Sequence, residues 1–304
     1  MSVKLVIGAN GFLGSHVTRQ LAANGDDVRA MVRPNAMTLG IDDLPVTRFH
    51  GDIWDNDTLR EAMAGVDDVY YCVVDARGWL RDPAPLFRTN VDGTRNVLEV
   101  AKDAGLQRFI YTSSYVTVGR RRGHVASEDD IIVDGAEMLP TNRFRGLTPY
   151  VRSRVQAERL VLNYAKKHGL PAIAMCVSTT YGSGDWGRTP HGALIAGAAF
   201  GKLPFVMGGI ELEAVGVDDA ACAMILAAER GRVGERYLIS EKMISNADVV
   251  RIAAEAAGVS APTRSVPLPM SYAMAIAGSV KAKLRGTDER LSLGSLRLMR
   301  AEAP

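Results

Sequence analysis

Glycines at positions 8, 11 and 14 are separated only by Ala9, Asn10, Phe12 and Leu13, a spacing suited to holding a pyrophosphate. Glycine allows the tight turn and lets the backbone approach a ligand closely. A helix that starts there offers unpaired N–H groups and the positive end of its dipole. The flanking sequence gives such a turn its required context. Val3–Ile7 is a short apolar run that reads as a strand, and Phe12, Leu13, Val17 and Leu21 recur as one face of a helix. A plain surface turn can carry the same triplet, but its place between strand and helix at the start of the chain favours a cofactor turn. Asn10, Phe12 and Leu13 are counted with Gly8, Gly11 and Gly14 as cofactor-binding candidates.

The elements that position this turn alternate along the chain. Strands are expected at Val3–Ile7, 28–32, 46–50, 69–74, 108–112 and Ala172–Val177, and helices between them include 59–64, 86–104 and 148–168. Gly25, Gly105 and Gly169 stand where helices should stop, and Pro171 follows the last at the usual distance. Strand–helix alternation implies an α/β fold, a doubly wound parallel sheet of the Rossmann type. After Val177 the rhythm changes to glycine-rich stretches around short elements. The expected organisation is a dinucleotide-binding domain over 1–177, to which 212–242 returns, and a smaller interleaved C-terminal substrate lobe over 178–304.

With 304 residues, 47% hydrophobic and 23% charged, the chain is globular and large enough for a sizeable core. A net charge of +2 gives no reason to expect nucleic acid or a strong membrane-surface field. Cys72, Cys176 and Cys222 are odd in number and widely spaced, which suits neither a disulfide framework nor a metal cluster. Cys72 and Cys176 read as buried thiols. The first strand starts almost at Met1, so no leader and a reducing cytoplasm are expected. Residues 271–284 are apolar and then basic, and too short to span a bilayer. Packing on the lobe is favoured for them over a lid or a membrane-surface helix. The histidines, among them His124, His168 and His191, lack metal-ligand spacing. His191 could line a substrate pocket. The run Arg120, Arg121, Arg122 could border the substrate mouth, although such runs are usually solvated.

Five motifs then occur in order: Gly8-x-x-Gly11-x-x-Gly14, Gly51-Asp52, Asn90-Val-Asp-Gly-Thr94, Tyr111-Thr-Ser-Ser114 and Tyr150-x-x-x-Arg154. Through them the chain resembles the extended short-chain dehydrogenase/reductase (NAD-dependent epimerase/dehydratase) superfamily over nearly its whole length. Its likeness is to the dihydroflavonol-reductase-like branch and to bacterial hopanoid-associated sugar epimerases. The resemblance implies that Tyr150 is the acid/base for the substrate oxygen and Ser114 the hydroxyl that orients it, with Ser113 a cofactor-side neighbour. Relatives place a lysine four residues after the tyrosine, on the same helix face. It holds the nicotinamide ribose and draws the tyrosine pKa down from about 10. Here Arg154 occupies that place, keeping the charge but not the shape. The resemblance also makes Asp52 the partner of the adenine amino group, with a helix N-cap as the alternative, although Asp55 already suits that purpose. It adds Ile53, Val73, Asn90, Val177 and Ser178 to the cofactor contacts, a buried polar contact being the alternative for Asn90. Gly93 and Thr94 read as packing residues and Asp219 as a helix cap. Tyr71, Val177 and Ser183 stand where relatives carry histidine, proline and proline. Tyr71, expected at the cleft mouth, is the reserve acid.

The second expected strand ends in Arg33-Pro34 with no carboxylate to hold a ribose 2′-hydroxyl. Arginine there can pair with a 2′-phosphate, so NADP(H) is expected over NAD(H), which stays the second choice. Arg29, inside the strand, is expected to face outward. The leading reading is an NADP(H)-dependent oxidoreductase moving hydride between nicotinamide and a secondary alcohol or ketone. The alternatives are a nucleotide-sugar epimerase or dehydratase that retains its cofactor, and a weakly catalytic dinucleotide-binding protein in which Arg154 fails to replace lysine. A small-molecule substrate is the expected partner, with no nucleic acid, no metal and no integral membrane segment; a homodimer is the oligomer considered.

Overall fold

The computed structural model describes residues 2–119, 125–130, 132, 148–187 and 189–301. Strand β1 (Val3–Ile7), helix α1 (Phe12–Ala23) and strand β2 (Asp27–Val32) open the chain, followed by β3 (Thr47–His50), α2 (Asn56–Met63) and β4 (Asp68–Tyr71). Next come α3 (Ala84–Phe87), a π-helical turn (Arg88–Gly93), α4 (Thr94–Ala101), β5 (Arg108–Ser114), a 3₁₀ turn (Tyr115–Thr117), α5 (Pro149–His168) and β6 (Ala172–Val177). The remaining elements are β7 (Thr179–Tyr181), α6 (Pro190–Ala199), β8 (Val206–Met207), β9 (Glu211–Gly216), α7 (Val217–Arg230), β10 (Arg236–Ile239) and β11 (Lys242–Ser245), then α8 (Asn246–Ala256), β12 (Ser265–Val266), α9 (Leu268–Arg285) and α10 (Leu293–Ala301).

Seven parallel strands form the central sheet in the order β3-β2-β1-β4-β5-β6-β10. Strand periodicity sends alternate residues to opposite faces. Val6, Tyr70, Ile110 and Ile173 pack against α1 and α7. Leu5, Ile7, Val69, Tyr71, Phe109 and Tyr111 pack against α2, α4 and α5. Strand order reverses between β1 and β4, which opens a crevice above their carboxyl ends. A three-stranded sheet (β11-β9-β7), a two-stranded one (β12-β8), and helices α6, α8, α9 and α10 make up the remainder.

Local signals explain the boundaries. The Asp55 side chain accepts the Thr58 N–H and caps α2. Thr148 does the same for α5, with Pro149 at its first position, and Gly169 (φ 68°) closes that helix after Lys166, Lys167 and His168. Four expectations need correction. The fourth strand stops at Tyr71, and Cys72 and Val73 follow it against Gly8 of the glycine turn. The 86–104 helix is split by the π-helical turn. Arg29 does not face outward: its guanidinium lies 5.7 Å over the Phe49 ring and donates to the carbonyls of Ala62 and Ala64 at the end of α2. Gly216, not Asp219, holds the N-cap position of α7, and Asp219 sits in its first turn, where its charge favours the helix dipole.

Candidate dinucleotide and catalytic site

The glycine turn is built from backbone bonds. The N–H groups of Gly8 and Ala9 donate to the Met31 carbonyl at 3.0 and 3.3 Å, and the Gly11 N–H donates to the Gly8 carbonyl at 3.0 Å. Gly8 has φ +84°, and a Cβ on Gly14 would collide with the Gly8 carbonyl oxygen. Both positions therefore require glycine. Helix α1 starts without a side-chain cap and without an acidic residue in its first turn, so its N–H groups are available to an anion. Leu13 packs in the core, Phe12 meets the His16 ring edge-on at 5.6 Å, and the Asn10 amide donates to the Met37 carbonyl at 3.2 Å. That bond ties the turn to the loop after β2, where Arg33 is exposed. Val73 closes on Gly8 from the end of β4.

Asp52 follows β3 and accepts the Trp54 N–H at 3.3 Å, while Ile53 is buried against Gly93. Arg88 lies 5.4 Å over the Trp54 ring, a pair that sequence reasoning missed because the two come from different crossovers. Asn90 sits in the π-helical turn, wholly buried. Its side-chain oxygen accepts the Asp75 N–H at 2.8 Å, and its amide donates to the Asp75 carbonyl and to Ser153 Oγ, both at 3.0 Å. Ser153 Oγ in turn donates to the Tyr150 carbonyl at 2.7 Å. Asn90 thus clamps the loop after β4 to the first turn of α5, the geometry of a buried polar contact.

Tyr150 and Arg154 lie one turn apart on α5. Tyr150 is half-buried against a cluster holding Tyr115, Val116 and Leu298. Ser114 ends β5, its Oγ accepting the Val116 N–H at 3.5 Å. Arg154 is only 1% exposed. One of its terminal nitrogens donates to the Thr112 carbonyl, and its guanidinium sits 5.4 Å from the Tyr111 ring centre. Its Nε and Nη1 have no hydrogen-bond partner among the described residues. Arg154 is therefore a buried, anchored cation and not a solvated surface arginine.

Ser113 faces α5, its hydroxyl donating to Glu158. Glu158 also accepts from Thr117 at 2.7 Å and pairs with Arg236 at 2.8 Å. Tyr71 is fully buried, stacked at 5.8 Å on Tyr111, with Thr94 Oγ1 3.4 Å from its hydroxyl; burial pushes its phenol up. It does not stand at a cleft mouth and is not placed to act as an acid there. At the end of β6, Val177 is buried, the Ser178 N–H donates to the Ile239 carbonyl at 2.9 Å, and the Ser178 hydroxyl is buried without a partner among the described residues. His191 meets Tyr181 edge-on at 5.8 Å; burial lowers its pKa to about 4 against an opposing pull from Asp185. Arg120, Arg121, Arg122 and His124 lie outside the described residues.

A dinucleotide fits these residues. The turn closes to anything larger than glycine, α1 presents uncapped N–H groups, and two buried side chains, Arg154 and Ser178, hold polar atoms with no partner among the described residues. The family model described as the NAD dependent epimerase/dehydratase family matches residues 4–240. A Synechocystis sp. protein provisionally called a dihydroflavonol 4-reductase is 31% identical over 88% of this chain and 77% of its own length. Sterol demethylase protein B of Methylococcus capsulatus is 29% identical over 90% of this chain and 80% of its own. The crystal structure of gox2253 superposes with a TM-score of 0.81 at 33% identity, covering 99% of this chain and 88% of the other. The chain belongs to the NAD dependent epimerase/dehydratase family, within the extended short-chain dehydrogenases/reductases. It is accordingly an NAD(P)-dependent enzyme of that type.

Proposed function

We propose that the chain is an NADP(H)-dependent oxidoreductase that interconverts a secondary alcohol and a ketone. The observation that carries this reading is the disposition of α5 against β5, with Tyr150 one turn from a buried Arg154 anchored to the Thr112 carbonyl two residues before Ser114. Gly8, Gly11, Gly14, Asn10, Phe12 and Leu13 would hold the pyrophosphate. Arg33 would meet the 2′-phosphate, Asp52 and Ile53 the adenine side, and Val73, Val177 and Ser178 the nicotinamide side. When bound, the nicotinamide supplies or accepts the hydride. Tyr150 hands the hydroxyl proton to the substrate oxygen during reduction and takes it back during oxidation. Ser114 would orient that oxygen, and Arg154, whose Nε and Nη1 have no hydrogen-bond partner among the described residues, would serve the ribose and keep positive charge near Tyr150. Asn90 and Ser113 act by positioning, Asn90 through Ser153 and Ser113 through Glu158. Three free cysteines suit a reducing cytoplasm.

Mixing the protein with NADPH and a panel of ketones, with absorbance of the reduced nicotinamide as readout, tests the proposal. Ketone-dependent loss of NADPH is expected. Turnover of nucleotide sugars with no net change in cofactor would replace this reading with that of an epimerase.

A further inference from the structure

Helix α9 buries Ser271, Ala275 and Ala282 against the lobe and leaves large apolar side chains in solvent. Met270, Ile276, Val280 and Leu284 are 56%, 49%, 52% and 82% exposed. At 3.6 residues per turn, these four and the exposed Ala273 and Ala277 share one arc of about 120°. Lys283 borders the arc beside Ile276, and Lys281 and Arg285 border its other edge. No acidic residue occurs anywhere in the helix. Lys281 is held by Glu289 at 2.5 Å, while Lys283 and Arg285 are exposed.

An apolar stripe edged on both sides by basic side chains is the pattern of a helix lying at a membrane interface. An interface with a second copy would need acidic residues facing these lysines, and the stripe brings none of its own. Among the described residues no helix is long and apolar enough to cross a bilayer.

We propose that α9 seats the protein on an anionic lipid surface, with Ile276, Val280 and Leu284 in the acyl boundary and Lys283 and Arg285 among the head groups. The contact belongs to the second lobe and does not rest on the proposed reaction. Each basic residue near such a surface strengthens binding about fivefold, and the contribution fades with salt.

The test is sedimentation of the full chain with vesicles of equal phosphatidylglycerol and phosphatidylcholine, and with phosphatidylcholine alone. Binding to the anionic vesicles that weakens with salt is expected. Lys283→Glu with Arg285→Glu should lower it at least tenfold, and so should Val280→Asp with Leu284→Asp. Neither pair should change the affinity for NADPH or NADH in vesicle-free solution. A fluorophore on Leu284→Cys in a Cys222→Ser background should shift to the blue on anionic vesicles, a readout that survives if the aspartate pair fails to fold. No sedimentation at low salt, an unshifted fluorophore, or a solution dimer that Val280→Asp dissociates would each overturn the proposal, the last by giving the stripe to a second copy.

Discussion

The Arg236 guanidinium and the Glu158 carboxylate meet at 2.8 Å with both side chains buried, joining the last strand of the sheet to the helix that carries Tyr150. Arg236 also donates to the carbonyls of Glu128 and Asp130, at 2.7 and 2.8 Å. A buried pair is weak evidence of net stability, but removing one partner strands a charge, at a cost of about 3–5 kcal/mol. We predict that Glu158→Leu and Arg236→Met are each destabilising on that scale. The double variant should lose well under their sum. Urea denaturation of all four proteins measures this, and strictly additive losses would dismiss the coupling.

Tyr150→Phe removes a hydroxyl that acts only in the chemical step. Cofactor affinity should stay nearly constant while turnover falls ~10²–10⁴-fold. A variant that keeps more than about a tenth of the rate would require another acid, and Tyr71 is too deeply packed to be it.

Arg154→Ala should weaken cofactor binding and move the pH–rate profile of reduction alkaline. A neighbouring cation shifts a pKa by about one to three units, which sets the size of the expected displacement. Arg154→Lys should keep the profile, because it keeps the charge. An unmoved profile in the alanine variant would make Arg154 a packing residue. The same variant is expected to be less stable, since it empties the space over Tyr111.

Arg33 should make NADP(H) bind at least several-fold tighter than NAD(H), and Arg33→Ala should erase the difference. A charge-assisted hydrogen bond of about 1.5–3 kcal/mol is sufficient for that ratio. Titration calorimetry with both cofactors decides it, and equal affinities in the unaltered protein refute it.

His191 links acidity to folding. Burial sets its pKa to about 4, below the ordinary 6.5. Above pH 6.5 the ring is neutral in folded and unfolded chains and contributes no pH dependence. As pH falls from 6.5 to 4, the unfolded chain takes up a proton that the native one refuses, so stability is lost, on the order of 3 kcal/mol at most. His191→Phe should flatten that limb of a urea-midpoint series, and an unchanged slope would place the acid sensitivity elsewhere.

Much of the frame was legible because its signals are local. Val3–Ile7 and Ala172–Val177 are strands with the expected ends, and Gly169 stops its helix as its neighbours foretell. The burial of Arg154 was not legible. It depends on the Thr112 carbonyl and the Tyr111 ring, 42 and 43 residues away, and on a helix face that spacing alone reads as amphipathic. Arg236 and Glu158, 78 residues apart, carry no motif, and only the pairing of β10 with β6 brings them together. Tyr71 misled for a related reason. A residue at a strand end is expected to reach the crevice, yet strand alternation turns this ring into the face beneath α5.

Leu298 of α10 packs into the cluster that holds Tyr150, and a Cβ on Gly78 would lie 2.7 Å from Leu298 Cδ2 and 3.5 Å from Tyr150 Cβ. The proposed acid is therefore walled on one side by a helix that begins at Leu293, far downstream of the central sheet. During synthesis the sheet and its glycine turn can form before this wall exists. A chain that stopped before α10 would leave the Tyr150 side of that cluster open.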